Sequence, residues 1–276
     1  MALTEFGIWA NKRRLGEDWA GAARLLEELG FGALWLGGSP RLSDLRPLLE
    51  ATETLTVATS IANVWRYGAA EMAADWEALE RDFPGRALAG IGAGHPEQDG
   101  DYSKPFSAVR EYLDTLDEAG GPPPERRLLA ALAPRMIELS GSRSAGAIPY
   151  FVPPGHTRFA RERLGAGPLL APEMACVLDE EPERARAKAR DFAQLYLGLS
   201  NYRAAVVRGG FEEGDLEGGG SERMLDAVVP QGSPERVAAA ARAHLEAGAD
   251  HVALQPVATD GLPGAEWTAL AAALIA

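Results

Sequence analysis

Short apolar runs and longer amphipathic segments alternate along the whole chain. The first apolar run, 6–10, is followed by residues 17–29, in which Trp19, Ala22 and Leu26 recur on one face of a helix. Gly30 then stands where a glycine commonly ends a helix. The same alternation continues to the C-terminus. It predicts eight strands, at residues 6–10, 31–36, 55–62, 86–91, 127–132, 146–152, 169–178 and 251–256.

The segments between these runs predict helices. A helix over 69–82 ends before a Pro-Gly pair, and Ser233 and Pro234 have the residue types of an N-cap and a first helical position. Residues 209–222, which are rich in glycine and glutamate, are expected to form a flexible loop. The predicted helices are 17–29, 42–50, 69–82, 106–118, 134–139, 157–164, 182–197, 234–247 and 267–276.

Strands that alternate with helices in this way indicate an α/β fold. The count of eight favours a closed (β/α)8 TIM barrel over an open doubly wound sheet. An open dinucleotide-binding sheet would carry G-x-G-x-x-G after its first strand, whereas the glycine-rich strand end of this chain, 90–94, follows the fourth strand. We therefore expect one barrel domain over residues 1–276.

The composition excludes several classes of protein. Asp and Glu number 40 against 27 Lys and Arg, giving a net charge of −13, so a whole-chain nucleic-acid binder is excluded. Residues 1–6 lack the features of a secretory signal, and no run of about 18 apolar residues indicates a membrane span. The lone Cys176 excludes an internal disulfide. These features predict a cytoplasmic protein with neither nucleic acid nor membrane as a partner.

In a (β/α)8 barrel the active site lies at the carboxyl ends of the strands. An amide, an indole and a guanidinium follow the third strand, at Asn63, Trp65 and Arg66. A Gly-x-Gly turn, 92–94, follows the fourth strand and allows a bound group to approach the backbone closely, because glycine has no Cβ. The same rule selects a pocket for a small-molecule substrate formed by Trp9, Asn11, Ser39, Trp65 and Arg66.

These features also have purely structural interpretations. In this interpretation the glycines serve only to form a tight turn, and His156 or Thr157 serves only as an N-cap residue. Trp65 can pack at the top of the barrel instead of lining a pocket. The sequence alone leaves both interpretations open at each position.

His95 is the candidate catalytic residue, because it follows the glycine-rich turn and an imidazole exchanges protons near neutral pH. An exposed histidine without a role in catalysis would fit the same position. We expect His244 on the surface of its helix and His251 in a structural role at the start of strand eight. Four scattered histidines and one cysteine form no metal-binding motif, so no metal is expected.

Motifs for other kinds of catalysis are also missing. The sequence has no G-x-x-x-x-G-K-[ST] loop for phosphates and no G-x-S-x-G nucleophile elbow. Cys176 lies inside a predicted strand, where a small buried side chain is the ordinary interpretation. A barrel mouth poor in acids, bases and nucleophiles suits an enzyme whose cofactor carries the chemistry while the protein orients it.

Six segments carry short motifs in a characteristic order, among them TSIAN at 59–63, FPGRALAGIGAG at 83–94 and GSPERV at 232–237; the others are 22–36, 163–173 and 248–252. Together they resemble the bacterial luciferase-like superfamily, and especially the branch that uses the deazaflavin coenzyme F420. The resemblance covers nearly the whole chain. Segment 163–173 is similar to a compact actinobacterial subgroup of F420-dependent oxidoreductases.

The resemblance implies a deazaflavin ring at the carboxyl-terminal mouth of the barrel, in front of a bulge made by a cis peptide bond at Ser60–Ile61. Asn63 would hydrogen-bond the ring, and residues 155–157 would hold the phosphate. The implied cofactor-binding residues are Ser60, Ile61, Ala62, Asn63, Gly92, Ala93, Gly94, Gln98, Gly155, His156 and Thr157. Members of the family are commonly dimers, so a homodimer is expected.

Two positions depart from related F420 enzymes. Some of these enzymes have a histidine or aspartate just after strand two, where this chain has Gly37, Gly38 and Ser39. Sugar-phosphate dehydrogenases of the family have a glutamate at the position that matches His95. The substrate and the proton-transfer scheme of those enzymes are therefore not carried over to this chain.

Three functions remain as hypotheses. The first is an F420-dependent oxidoreductase that transfers a hydride between C5 of the deazaflavin and a small organic substrate, with His95 as proton donor or acceptor. The second is a two-component flavin monooxygenase that uses oxygen and FMNH2 (thus FMN as cofactor) supplied by a separate reductase. The third is a barrel that has lost its chemistry and acts as a binding protein.

The negative charge of the chain adds one expectation. F420 carries a phosphate and a polyglutamate tail, so the acidic surplus should lie on the outer surface, as at 180–181 and 212–213. The mouth should be neutral or basic, with Arg66, Arg158 and backbone amides available to anions.

Overall fold

Parallel strands form the sheet at the centre of the molecule. The computed structural model describes residues 3–95, 104–257 and 261–275, and within them every strand pairing is parallel. The strands are β1 (Phe6–Asn11), β2 (Ala33–Gly37), β3 (Thr56–Thr59), β4 (Ala62–Asn63), β5 (Ala87–Gly92), β6 (Arg127–Leu129), β7 (Gly146–Ala147), β8 (Leu169–Leu170), β9 (Glu173–Leu178), β10 (Gln231–Gly232) and β11 (Val252–Pro256).

The sheet closes on itself. β8 and β9 are two parts of one run, interrupted at Ala171 and Pro172; β7 pairs with the first part and β11 with the second. β11 pairs in turn with β1, in a register that places Ile8 beside Leu254. β3 and β4 are also two parts of one run, so the described residues form eight strand positions, and β10 adds a short pairing at the end of β9. The predicted (β/α)8 fold is confirmed.

The helices begin with the capping chemistry that the sequence indicates. Ser233 Oγ accepts a hydrogen bond from the backbone of Arg236 at 3.4 Å, and Asp18 Oδ1 accepts one from Gly21 at 2.7 Å. No helix of the described residues is long and apolar enough to cross a membrane. The helices are α1 (Trp19–Glu28), α2 (Arg46–Glu50), α3 (Ala69–Asp82), α4 (Pro105–Glu118), α5 (Pro134–Arg143), α6 (Pro154–Leu164), α7 (Pro182–Leu197), α8 (Ser200–Arg208), α9 (Glu222–Val228), α10 (Pro234–Glu246) and α11 (Gly264–Leu274).

Both faces of the sheet are buried, as expected for parallel strands covered by helices. Leu34 and Val57 pack with the helices on the outside of the barrel. Trp9, Trp35 and Leu88 belong to a separate cluster that fills its interior. The barrel is therefore a packed core, and a ligand has room only at its ends.

His251 closes the amino end of the barrel and has the structural role that its position predicts. Its Nε2 accepts a hydrogen bond from Trp35 Nε1 at 2.9 Å, and its Nδ1 lies 2.6 Å from the carbonyl oxygen of Thr4. A Cβ on Gly7 would come within 2.7 Å of Nε2, so glycine is required there. Burial lowers the pKa of His251 to about 4, so the ring is neutral.

The prediction of a flexible loop at residues 209–222 is wrong. Short 3-10 turns interrupted by a kink at Glu217 and Gly218 span Glu213–Gly219, and Ser221 caps α9 by accepting from the backbone of Met224. Leu216 is buried, and glycines with positive φ, including Gly219 at 81°, let the chain turn tightly there. High glycine content therefore indicates close packing here. Helix α8, just before this segment, was not predicted.

Two further expectations need correction. His244 is fully buried, because α10 packs against α6, where Thr157 Oγ1 lies 2.8 Å from His244 Nδ1. The strands predicted at 127–132 and 146–152 end early, at Leu129 and Ala147. Beyond those points the chain leaves the sheet and lines a cavity.

Candidate functional site

A cavity of about 480 Å³ opens where the strands end at their carboxyl side, as the barrel architecture predicts. Its size falls within the range of about 300–1,000 Å³ usual for small-molecule and cofactor sites. The predicted site residues that line it are Trp9, Asn11, Ser39, Ser60, Ile61, Asn63, Arg66, Ala93, Gly94 and His95.

The ends of β1 and β2 form one wall. The Trp9 ring lies against Gly37, where a Cβ would come within 2.0 Å of the ring, so glycine at 37 makes room for the indole. Trp9 Nε1 donates to Ser60 Oγ at 3.0 Å, which ties this wall to the third strand. Asn11 and Ser39 complete the wall.

The break between β3 and β4 forms a second wall. The peptide bond Ser60–Ile61 is cis, as the resemblance implied. Asn63 is buried, and its Oδ1 accepts from the backbone N–H of Trp65 at 2.9 Å, which fixes the amide. Trp65 Nε1 donates to the carbonyl oxygen of Ala93 at 2.6 Å. Trp65 therefore supports the glycine-rich turn and does not line the cavity, as its structural interpretation expects.

His95 lies half-buried on the cavity surface, between two residues of α8. Asn201 Nδ2 is 3.0 Å from its Nδ1, and Tyr202 Oη is 3.2 Å from its Nε2. The Tyr202 ring also packs against the imidazole, with ring centroids 4.9 Å apart. His95 is thus held in one orientation, which excludes the interpretation as an ordinary exposed histidine.

Three tyrosines form a connected group along the cavity. Tyr150 Oη lies 2.8 Å from Tyr196 Oη and donates to Gln255 Oε1 at 2.8 Å. The Tyr150 ring packs 5.9 Å from that of Tyr202 and 5.4 Å from that of Trp9. Burial raises the pKa of Tyr150 and Tyr202 well above 10 and that of Tyr196 to about 12. All three hydroxyls therefore keep their protons at neutral pH.

Glu173 is a buried carboxyl group near the tyrosines. Its Oε2 accepts from the backbone N–H of Phe151 at 3.1 Å, whereas Oε1 has no hydrogen-bond partner among the described residues. Phe151 has a φ of 54°, which is uncommon for a bulky residue. Burial raises the pKa of Glu173 to about 8, so at pH 7 it is mostly an uncharged acid that holds this backbone turn.

The charge of the cavity differs from that of the chain. Among the described lining residues none is acidic, and the charged ones are Arg66 and Arg135, both exposed at the rim. The Arg135 guanidinium lies 4.2 Å from the centroid of the Phe106 ring, which holds it over the opening. Arg158, the other predicted cation, is exposed but does not line the cavity. The acidic pairs at 180–181 and 212–213 are exposed, as expected.

The predicted phosphate region does not reach the cavity. A Cβ on Gly155 would come within 2.1 Å of the Gly209 carbonyl oxygen, so this glycine allows α6 to approach the end of α8. His156 is fully buried, with Nε2 3.0 Å from the Leu132 carbonyl oxygen, and Thr157 meets His244. Their contacts fit the N-terminal packing of α6, and a phosphate role for them stays a prediction.

Two other predicted residues lie outside the lining. Ala62 is buried in the core, and Gly92 packs between strands, where a Cβ would come within 2.9 Å of Ala130 Cβ. Gln98 lies outside the described residues.

The structure adds residues that the sequence interpretation missed. They come from the start of α4 and α5 and from the junction of α7 with α8, and they are Phe106, Arg135, Met136, Tyr196, Asn201 and Tyr202. The available signal was the helix break at Gly198 and Leu199, which is followed by Ser200, Asn201 and Tyr202. No group of three or more His, Cys, Asp or Glu in the described part of the chain is arranged to hold a metal ion.

Solved structures share this fold. An F420-dependent secondary alcohol dehydrogenase in complex with an F420–acetone adduct matches with a TM-score of 0.75 at 14% identity, over 99% of this chain and 98% of that one. The coenzyme F420-dependent tetrahydromethanopterin reductase from Methanopyrus kandleri gives 0.73 at 17%, over 99% of each chain. The oxygenating constituent of 3,6-diketocamphane monooxygenase from Pseudomonas putida, in complex with FMN, gives 0.66 at 15%, over 92% of each.

At these identities the likeness establishes the fold and not the cofactor. No protein with curated annotation matches the chain significantly. The sequence model of the luciferase-like monooxygenase family, in contrast, matches residues 4–251. This match covers nearly the whole barrel, from the residues before β1 to the residue just before β11. The chain therefore belongs to the luciferase-like monooxygenase family of oxidoreductases and monooxygenases.

Proposed function

We propose that the protein is an F420-dependent oxidoreductase that transfers a hydride between C5 of the deazaflavin and a small organic substrate. The observation that carries the proposal is the cavity at the strand ends, which is lined by Ser60, Ile61 and the adjoining glycine-containing turn. Within the described residues it holds neither a nucleophile motif nor a group of metal ligands. The chemistry then has to come from a bound group. Two structural neighbours are F420-dependent enzymes.

The residues present fit such a group. Ser60, Ile61, Ala93 and Gly94 offer small side chains and backbone along one side, where a flat ring system can approach closely. The fixed amide of Asn63 lies beside them. When bound, the deazaflavin supplies or accepts the hydride.

The anionic tail of F420 needs positive charge at the opening. Arg66 and Arg135 lie at the rim. These two guanidinium groups would attract phosphate and carboxylate groups.

The protein's own part in the reaction is to orient the substrate and to manage one proton. Trp9, Tyr150 and Met136 supply apolar surface that excludes water from the reacting atoms. His95 lies on the same surface and, in this proposal, exchanges the proton that accompanies the hydride.

Cofactor titration tests the proposal. Quenching of tryptophan fluorescence by F420 and by FMN should give saturable binding of F420, because Trp9 lines the cavity. A Trp9→Phe variant is the control: it should lose part of the quenching and retain binding measured by ultrafiltration. Absence of saturable F420 binding would overturn the proposal.

The same samples distinguish the two alternatives. Oxygen consumption with photoreduced FMN would indicate a two-component monooxygenase, since a deazaflavin lacks the N5 atom needed to activate oxygen. The FMN-bound structural neighbour makes this the necessary comparison. Binding of neither cofactor would favour a binding protein. A homodimer and a separate cofactor reductase belong to the proposal as well, and light scattering tests the dimer.

A further inference from the structure

The contacts of His95 correspond to one tautomer of its ring. The amide nitrogen of Asn201, whose Oδ1 is buried without a hydrogen-bond partner among the described residues, lies 3.0 Å from Nδ1 of His95. An amide nitrogen only donates hydrogen bonds, so this arrangement corresponds to an unprotonated Nδ1. The ring proton is then on Nε2, which faces Tyr202 Oη at 3.2 Å. Nε2–H donates to this oxygen, and the hydroxyl proton of Tyr202 is left to point away from His95.

Tyr202 is rigidly held at the cavity. Its side chain is 5% exposed and lines the cavity surface. The ring packs edge-on against Tyr196 at 5.2 Å and against Phe151 at 5.8 Å between centroids. Among the described residues, Tyr202 Oη has no hydrogen-bond partner other than His95. A ligand in the cavity is therefore the available acceptor for its proton.

The cavity also selects the charge of that ligand. The described lining residues include no Asp, Glu or Lys, and both arginines are at the exposed rim. A charged group placed against the tyrosines would lose its hydration without gaining a counter-ion, which is costly. A neutral oxygen that accepts one hydrogen bond fits this position.

We propose that the Tyr202 hydroxyl, oriented by His95 and Asn201, binds and protonates the oxygen of a neutral carbonyl substrate, a ketone or aldehyde with an apolar body. The proposal rests on the proposed function for the source of the hydride. Tyr202 then takes over from His95 the exchange of the proton with the substrate and is the catalytic residue, and His95 and Asn201 are positioning residues that act through it.

The step balances with one hydride and one proton. A bound reduced deazaflavin would supply the hydride for the carbonyl carbon; as the C=O π bond breaks, the oxygen takes the proton of Tyr202. The phenolate that forms accepts the hydrogen bond of His95 Nε2–H, and water reprotonates it after the alcohol leaves. Because an alkoxide is a much stronger base than a phenolate, the raised pKa of Tyr202 does not prevent this transfer.

The first test reads the His95 ring directly in cofactor-free protein. Long-range 1H–15N spectra of protein with 15N-labelled histidine, with the His95 signals identified through His95→Gln, should show the Nε2–H tautomer. Asn201→Ala should give a mixture of tautomers. Tyr196→Phe, which removes a neighbouring hydroxyl bonded to Tyr150, should leave the signals unchanged. An Nδ1–H tautomer in the wild type would overturn the proposal.

The second test measures recognition of a carbonyl group, with cyclohexanone as the probe. Its binding to cofactor-free protein, followed through the His95 signals, should weaken about fivefold in Tyr202→Phe, the size expected for one hydrogen bond between neutral groups. Tyr112→Phe is the matched control, because the Tyr112 hydroxyl contacts Met72 and does not line the cavity. Equal affinity in Tyr202→Phe and wild type, or no binding to the wild type, would overturn the proposal.

The two tests distinguish a wrong assignment of Tyr202 from a wrong proposed function. Neither test uses F420, so a Tyr202-dependent ketone site in a protein that does not bind F420 would overturn only the proposed function. F420 binding with ketone affinity that does not depend on Tyr202 would overturn only the assignment of Tyr202. With the loaded enzyme, Tyr202→Phe should lower kcat at least tenfold and Asn201→Ala less.

Discussion

The two ends of the barrel use histidine in opposite ways. At the amino end, His251 is fully buried between Trp35 and Thr4, both its nitrogens have partners inside the core, and its pKa is lowered to about 4. At the carboxyl end, His95 contacts the hydroxyl of Tyr202, whose side chain lines a cavity. A histidine whose hydrogen-bond partners all lie in the core stabilises the fold. A histidine whose partner lines a cavity can act on a ligand through that partner.

Two other histidines share the buried environment and the lowered pKa of His251. His156 and His244 are fully buried, and burial lowers the pKa of each to about 4. One nitrogen of each ring has a partner, while His156 Nδ1 and His244 Nε2 are buried with no partner among the described residues. Protonation of either ring would place an unpaired charge in the core.

The largest expected effect is a loss of stability in acid, which the three buried histidines should cause. The three buried histidines have folded pKa values of about 4 against 6.5, so between these pH values the unfolded chain binds more protons than the native one. Each contributes up to about 3 kcal/mol of stability at pH 7 that is lost as the pH falls from 6.5 to 4. Urea unfolding at several pH values measures this loss. A protein equally stable at pH 6.5 and 4.5 would contradict the comparison.

Glu173 should act in the opposite direction. Its folded pKa of about 8 against 4.5 means that its stabilising contribution is complete below pH 4.5 and is lost as the pH rises through 8. Glu173→Gln keeps an acceptor for Phe151 and should raise the free energy of unfolding at pH 8.5 by up to about 3 kcal/mol, with little change at pH 5. The exposed Glu180→Gln is the control and should change it by less than about 0.5 kcal/mol. Parallel pH profiles for Glu173→Gln and wild type would show that this carboxyl is ionised in the native protein.

Removal of each histidine tests the comparison directly. His251→Leu leaves Trp35 Nε1 and the Thr4 carbonyl without partners, so we expect a loss of about 2 kcal/mol in the free energy of unfolding. His95→Leu should cost less than about 1 kcal/mol but impair catalysis. Chemical denaturation and steady-state kinetics on both variants measure this. Equal destabilisation by His95→Leu and His251→Leu would contradict the contrast between the two ends of the barrel.

The smallest expected effect concerns charge at the rim. Arg66→Gln and Arg135→Gln should each weaken F420 binding about fivefold, or about 1 kcal/mol, and reduce its salt dependence. Arg158→Gln removes an equal charge away from the cavity and should have little effect. Titrations at two salt concentrations compare the three variants. An equal loss in all three would mean that overall charge, and not the rim, attracts the cofactor.

Strong local sequence patterns explain which parts of the fold and of the candidate site could be predicted. The helix predicted at 69–82 was found at those bounds because its apolar period and its Pro-Gly stop agree. Ser60, Asn63 and His95 were found because they follow strands, and a parallel barrel brings strand ends together. Asn201 and Tyr202 follow no strand, so only tertiary packing of α8 places them at the mouth. His244 was misplaced because its helix has polar residues on several sides, and the sequence does not reveal which neighbour covers one of them.

The contact between His95 and Tyr202 also has a consequence in time. These residues are 107 positions apart in the chain, and a ribosome that adds roughly 5–20 residues per second needs about 5–20 s to make that stretch. The hydrogen bond between His251 and Thr4, 247 positions apart, forms later still. A nascent chain therefore has the first strands and the glycine-rich turn well before it has the wall of the site formed by α8. A ligand can find the complete site only after α8 has been synthesised and has packed against the barrel.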